Sequence, residues 1–219
     1  MKVRLELTYK TKKGIEATFT SDEMNAEKAI FTAEDLEKTG RLKNLIFIDN
    51  YDSTLNLKEL KKYIEEIDTE PHNITVYFDG GFDLTTKMSG LGCAIYYEKN
   101  GKTFRIRKNA LVRELHTNNE AEYAALYLGL KEVENLDAHH LPVNFVGDSQ
   151  VVINQLRGEW ACMEKVLNQW ADRIDSKLNE LGISAEYELI SRKKNREADQ
   201  LASQALKEIE ITSEVELHV

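Results

Sequence analysis

The chain has 219 residues, enough for one large domain or two small ones, and its 42% hydrophobic and 31% charged residues describe an ordinary soluble protein able to bury a core. No stretch approaches the roughly 20 apolar residues of a membrane span, the N-terminus MKVRLELTYK lacks the apolar run of a signal peptide, and Cys93 and Cys162 have no Cys or His neighbour at zinc-site spacing. The net charge is −9, and both parts of the chain divided at His72 are acidic, so any contact with nucleic acid must come from local basic clusters or metal ions.

In chain order, residues 3–9 alternate apolar and polar, Thr11-Lys12-Lys13-Gly14 supplies turn chemistry, and IEATFT alternates again, which is a β-hairpin signal. Ser21 can cap a helix running to about Lys38 and closed by Gly40. LIFID at 45–49 reads as a strand and 57–67 as a short helix, so residues 1–70 form a small ββαβα domain with no role assigned by sequence. Asp68-Thr69-Glu70-Pro71-His72 is a short polar linker in which the proline disfavours helix.

From Asn73 the pattern changes. ITVYFDGG is a strand expected to break at Asp79-Gly80-Gly81, and two further strands flank the turn Lys99-Asn100-Gly101. TNNEAEYAALYLGLKEVENL, from Thr117, is an amphipathic helix that Thr117 or an Asn can cap. LPVNFVGDS ends a strand at Asp148, a helix starts at once, residues 160–181 hold a third helix, residues 183–191 form a strand, and a last helix begins near Asn195. Strands in succession followed by alternating helices and strands make this an α/β chain, with a mixed sheet flanked by helices over residues 73–210 and a tail at 211–219.

Asp79, Glu122, Asp148 and Asp199 all fall at ends of these elements. Each also has an ordinary reading: Asp79 as a turn former, Asp148-Ser149 as a helix cap, Asp199 as a first-turn acid. Clustered carboxylates raise each other's pKa unless cations relieve the repulsion, and an all-oxygen donor set suits Mg²⁺ or Mn²⁺ better than zinc.

The series Asp79-Gly80-Gly81, Thr117-Asn118-Asn119-Glu120-Ala121-Glu122, Gly147-Asp148-Ser149-Gln150 and Asn195-Arg196-Glu197-Ala198-Asp199 closely resembles ribonuclease H, type 1, over roughly residues 73–209. The resemblance implies a five-stranded mixed sheet and a catalytic set of Asp79, Glu122, Asp148 and Asp199 that ligates two Mg²⁺ or Mn²⁺ ions with substrate. It selects Glu122 over Glu120, which is left solvent-facing or in a minor supporting role. It also implies an RNA/DNA hybrid as partner, with Asn118, Asn119 and Gln150 in its minor groove and Thr117 on a phosphate of the DNA strand. Gly80, Gly81 and Asn195 complete the implied substrate-contacting set. The implied activity is endonucleolytic hydrolysis of the RNA strand, in the cytoplasm and without a membrane.

The chain departs from that family at two places. The loop 189–195 before the final aspartate carries no histidine, and the chain runs from INQLRGEW into the next helix without the long basic insertion of some bacterial members. These departures keep a second function class in play: a weakly active or inactive ribonuclease H-like binding or regulatory protein. Arg192, Lys193, Lys194 and Arg196 flank Asp199 and favour phosphate contact there; Trp160 and Trp170 are expected in the core.

Overall fold

The structure is a computed structural model that describes residues 1–50 and 52–218. The chain divides into two compact units, Met1–Thr69 and Glu70–Val219.

In the first unit, β1 (Lys2–Lys10) and β2 (Glu16–Thr20) form the expected hairpin. Its turn is closed by Thr11, whose carbonyl accepts from Gly14 N at 3.0 Å and whose Oγ1 accepts from Ile15 N at 3.0 Å. The short β3 (Met24–Asn25) then pairs with β1, and α1 (Ala26–Lys38) follows. The helix starts later than a Ser21 cap implies. Ser21 Oγ is already engaged, accepting from Leu5 N at 2.9 Å and donating to Asp22 O at 2.8 Å, and Asn25 caps the helix instead through Glu27 N at 2.9 Å. β4 (Leu42–Asp49), β5 (Thr54–Leu55) and α2 (Leu57–Thr69) complete a sheet ordered β2-β1-β4-β5. The ββαβα order is thus present, with two short strands added. Val3, Leu5, Ala26, Ala29, Ala33, Phe47 and Leu60 form its core.

The second unit contains β6 (His72–Asp83), β7 (Met88–Lys99), β8 (Lys102–Val112), α3 (Asn118–Asn135), β9 (Pro142–Gly147), α4 (Gln150–Leu156), α5 (Lys165–Leu181), β10 (Ser184–Leu189), α6 (Arg196–Leu206) and β11 (Thr212–Leu217). The sheet order is β10-β9-β6-β7-β8-β11; β6 runs parallel to β9 and antiparallel to β7, which gives the expected mixed sheet flanked by helices. Strand β6 does not break at the glycines. Gly80 and Gly81 stay extended opposite Leu91 and Gly90, and the turn comes at Asp83, whose Oδ1 accepts from Thr85 N at 2.7 Å. Asp79 therefore lies inside a strand rather than at its end.

The sheet has six strands, not five, because residues 212–217 of the expected tail pair with β8. Asn109 secures this return: its Nδ2 donates to Leu201 O and Ile209 O at 3.0 and 2.9 Å, and its Oδ1 accepts from Ile211 N at 2.7 Å. Val219 of that tail lies outside the described residues. Helix α5, Lys165–Leu181, lies inside the expected 160–181 span and begins after a turn. Gly158, at φ +73°, turns the chain, and Asn154 O accepts from both Glu159 N and Trp160 N. Trp170 packs on Tyr127 as expected, whereas Trp160 is 48% exposed.

Two helices meet the sheet unusually closely, and both carry acids. On one face the backbone of Ala121 lies where a Cβ on Gly80 would sit, only 2.2 Å away. On the other, Ala202 O and Ala198 O would be 2.1 and 2.4 Å from Cβ atoms on Gly90 and Gly92. These glycines allow α3 and α6 to rest on the sheet backbone. Among the described residues no helix is long and apolar enough to cross a membrane.

Candidate active site

Asp79 and Asp148 are brought side by side by sheet register. Strands β6 and β9 are parallel with Tyr77 opposite Val146, and each acid stands two residues further along its chain. Glu122 arrives from the first turns of α3, which Thr117 caps by accepting from Glu120 N at 3.1 Å. The close approach of α3 at Gly80 lets Gly80 N donate to Glu122 Oε2 at 3.3 Å. Asp199 lies in the first turn of α6 and pairs with Arg192, whose Nη2 and Nε reach Oδ1 at 2.7 and 3.2 Å.

The acids sense one another. Burial, followed by repulsion from Asp148 and Asp199, pushes the Asp79 carboxyl up to about 7, against a smaller opposing pull from Arg192. Burial, followed by Asp79 and Asp148, pushes Glu122 up to about 9, with the Gly80 N–H and Arg192 opposing. Burial dominates both shifts, as for carboxylates held in a low-dielectric pocket, and the like charges add to it. The structure therefore brings the acids from residues 79, 122, 148 and 199 into one electrostatic neighbourhood, with Arg192 as the cation among them. Among the described residues no three His, Cys, Asp or Glu side chains are drawn close enough to cage a metal ion. As chemistry, the donor set still fits a hard cation: all of it is carboxylate oxygen, and its negative charge is only partly offset.

The expected substrate-contacting residues separate into groups. Thr117, Asn118 and Gln150 are exposed and Asn119 is half-buried; Asn118 Oδ1 accepts from Phe82 N at 3.3 Å, which ties the start of α3 to the end of β6. Gly80 is required by backbone packing and Gly81 is not, since a Cβ there would meet only Leu206 Cδ1 at 3.6 Å. Asn195 requires a correction. It is 1% exposed and its Nδ2 donates to Phe78 O at 2.8 Å and Asp148 Oδ1 at 2.7 Å, so it holds an acid in place rather than touching substrate.

Three further relationships lie outside the expectations drawn from the sequence. Glu120 is not solvent-facing but 6% exposed and turned back on the helix start, accepting from His116 N at 2.8 Å; the T-x-x-E spacing of a capping box is the signal that identifies it. Glu197 accepts from the Tyr96 hydroxyl at 2.5 Å and pairs with Arg105 and Arg107 at 3.2 and 3.3 Å, clamping the start of α6 to the sheet. Arg105 and Arg107 are two apart on a strand and so share a face, which is why one acid serves both. Arg192 is the third, since the sequence marks it as basic but not as the partner of Asp199.

Comparison with known proteins gives the family and the fold. The family described as reverse transcriptase-like matches residues 77–205, a span that includes all the acids above. The chain belongs to this family, and its second unit is ribonuclease H-like. An uncharacterized protein of Bacillus subtilis, YpeP, is 44% identical over 207 residues, 94% of this chain and 91% of that one, so the likeness runs through both units. Among solved structures, LC11 ribonuclease H1 in complex with an RNA/DNA hybrid is similar at a TM-score of 0.54 and 26% identity, over 62% of this chain and 98% of that one. Ribonuclease H1 of the halophilic archaeon Halobacterium salinarum shares the fold at a TM-score of 0.52 and 24% identity, over 62% of this chain and 98% of its own. A ribonuclease H-like fold in this family points, at the coarse level, to a nuclease that handles nucleic acid.

Proposed function

We propose that the protein is a metal-dependent endonuclease that hydrolyses the RNA strand of RNA/DNA hybrids. The observation that carries this reading is the placement of Asp79, Glu122 and Asp148 by β6, α3 and β9 within one another's field, with Asp199 acting on Asp79, where burial and mutual repulsion lift Asp79 to about 7 and Glu122 to about 9. A protein that only bound phosphate would gain nothing from negative charge so placed. Asp79, Glu122, Asp148 and Asp199 would hold two Mg²⁺ or Mn²⁺ ions, which when bound supply an activated water and counter-charge for the departing 3′-oxygen.

The chain's own groups prepare that site. Asn195 orients Asp148, the Gly80 N–H steadies Glu122, and Arg192 pairs with Asp199. The exposed Thr117, Asn118 and Gln150, with half-buried Asn119, are suited to phosphates and 2′-hydroxyls, the features by which a protein separates RNA from DNA without reading sequence. The LC11 neighbour bound to a hybrid supports that choice of substrate.

A second reading, a feebly active or inactive hybrid-binding protein, draws on the Arg192–Asp199 ion pair at 2.7 Å, which occupies one of the acids. An assay on end-labelled substrates separates the two. Cutting of the hybrid in Mg²⁺ or Mn²⁺, with 5′-phosphate and 3′-hydroxyl products and with duplex DNA untouched, supports the nuclease. Tight hybrid binding with no cutting in either metal supports the second reading.

A further inference from the structure

We propose that the hairpin turn of the N-terminal unit is a phosphate-binding surface that grips the sugar–phosphate backbone of nucleic acid. The turn between β1 and β2, with Arg41 beside it, borders an open groove of about 410 Å³ lined by Tyr9, Thr11, Lys12, Lys13, Ile15 and Arg41. Three of these residues are cations and none is an acid. Among the described residues no carboxylate pairs with Lys12, Lys13 or Arg41; the neighbouring Glu16 is taken by Lys43, at 2.8 Å to each oxygen. In a chain of net charge −9, an unneutralised knot of positive charge is a local feature that overall composition hides, and it calls for an anionic partner.

One cation of the groove is held in place. Arg41 Nη1 donates to the Tyr9 hydroxyl at 2.5 Å, its guanidinium lies 5.9 Å from the Tyr9 ring centroid, and its carbonyl accepts from Lys10 N at 2.8 Å. A guanidinium fixed in this way offers its remaining donors in a fork that matches phosphate oxygens. Lys12 and Lys13 stand exposed on a turn whose backbone is fixed by the Thr11–Ile15 bonds, and so supply mobile point charges around that fork. Cations around a tyrosine, with no acid to orient a base, fit backbone contact that is indifferent to sequence. This gives the first unit a role that the proposed hydrolysis leaves open, and it does not depend on the acids of the second.

The test uses the full chain in chelator, so that cleavage is not read and an inactive nuclease would leave the result standing. Fluorescence anisotropy follows binding to a labelled hybrid, and to single-stranded DNA, between about 50 and 200 mM salt. Lys12→Ala/Lys13→Ala is expected to weaken binding about tenfold and to flatten the salt slope by about two, one for each phosphate that is no longer neutralised. Lys12→Arg/Lys13→Arg should retain both, and an unchanged melting temperature would confirm that each variant is folded. Unaltered affinity and slope in the alanine variant would overturn the proposal. So would binding of inorganic phosphate or a mononucleotide that is abolished in the alanine variant while polymer binding persists, since that would mark a small-anion site.

Discussion

Asn195 holds Asp148: its side-chain Nδ2 donates to Asp148 Oδ1 at 2.7 Å while also donating to the buried carbonyl of Phe78 at 2.8 Å. One amide at the start of α6 thus couples the last helix, strand β6 and the acid that follows β9.

That coupling predicts the effect of removing it. Asn195→Ala strips two hydrogen bonds from a residue that is 1% exposed and should cost roughly 1–3 kcal/mol in urea unfolding. Asn195→Asp should cost more at neutral pH, because it sets a second carboxylate against Asp148, and should recover as acid protonates the pair. Equal stability of both variants and the parent across pH would remove Asn195 from its positioning role.

Two adjacent glycines should differ in their tolerance of a side chain. Gly80→Ala drives a Cβ to within 2.2 Å of the Ala121 backbone, so α3 must move away; a loss of about 1–3 kcal/mol or more is expected, together with a displaced Glu122. Gly81→Ala places its Cβ at ordinary van der Waals distance, 3.6 Å from Leu206 Cδ1, and should leave the melting temperature nearly unchanged. Paired thermal melts decide the matter.

The shifted acids fix the sign of the pH dependence. Asp79 and Glu122 hold protons in the folded state that the unfolded chain has already released, since their folded values are about 7 and about 9. Their contribution to stability is therefore intact below the ordinary carboxylate range near 4 and is lost as pH rises through 7 for Asp79 and 9 for Glu122. Metal-free Asp79→Asn should melt close to the parent at pH 4 and above it at pH 8. Millimolar Mg²⁺ or Mn²⁺ should raise the parent's melting temperature more at pH 8 than at pH 5, because cations and protons compete for the same oxygens. Calorimetry at those pH values would reveal a reversed trend.

Much of this architecture is legible in the chain. The alternation of strands and helices, the caps at Thr117 and Ser149, and the positions of Glu122, Asp148 and Asp199 near a helix start or strand end follow from local periodicity and side-chain chemistry. What stays hidden depends on partners distant in sequence. Asp79-Gly80-Gly81 has the composition of a turn, yet Leu91 and Gly90 on β7 keep it extended. Thr212–Leu217 alternates like a strand, but only the β8 edge and the Asn109 anchor distinguish it from a tail. Asn195 has the chemistry of a substrate ligand, but its burial depends on where α6 lands, which glycines at 90 and 92 determine. Trp160 is a hydrophobic residue that the turn at Gly158 leaves outside the core.

On the proposed function, the acids at 79, 122, 148 and 199 act together on an RNA/DNA hybrid. The most direct test measures Mn²⁺-dependent hybrid cleavage by the parent protein and by Asp79→Asn, Glu122→Gln, Asp148→Asn and Asp199→Asn, each first shown to be folded. Cleavage by the parent and its loss by about 100-fold or more in each of the four variants is the predicted result. Parent-level cleavage in all four, or none in the parent with either Mg²⁺ or Mn²⁺, would contradict it.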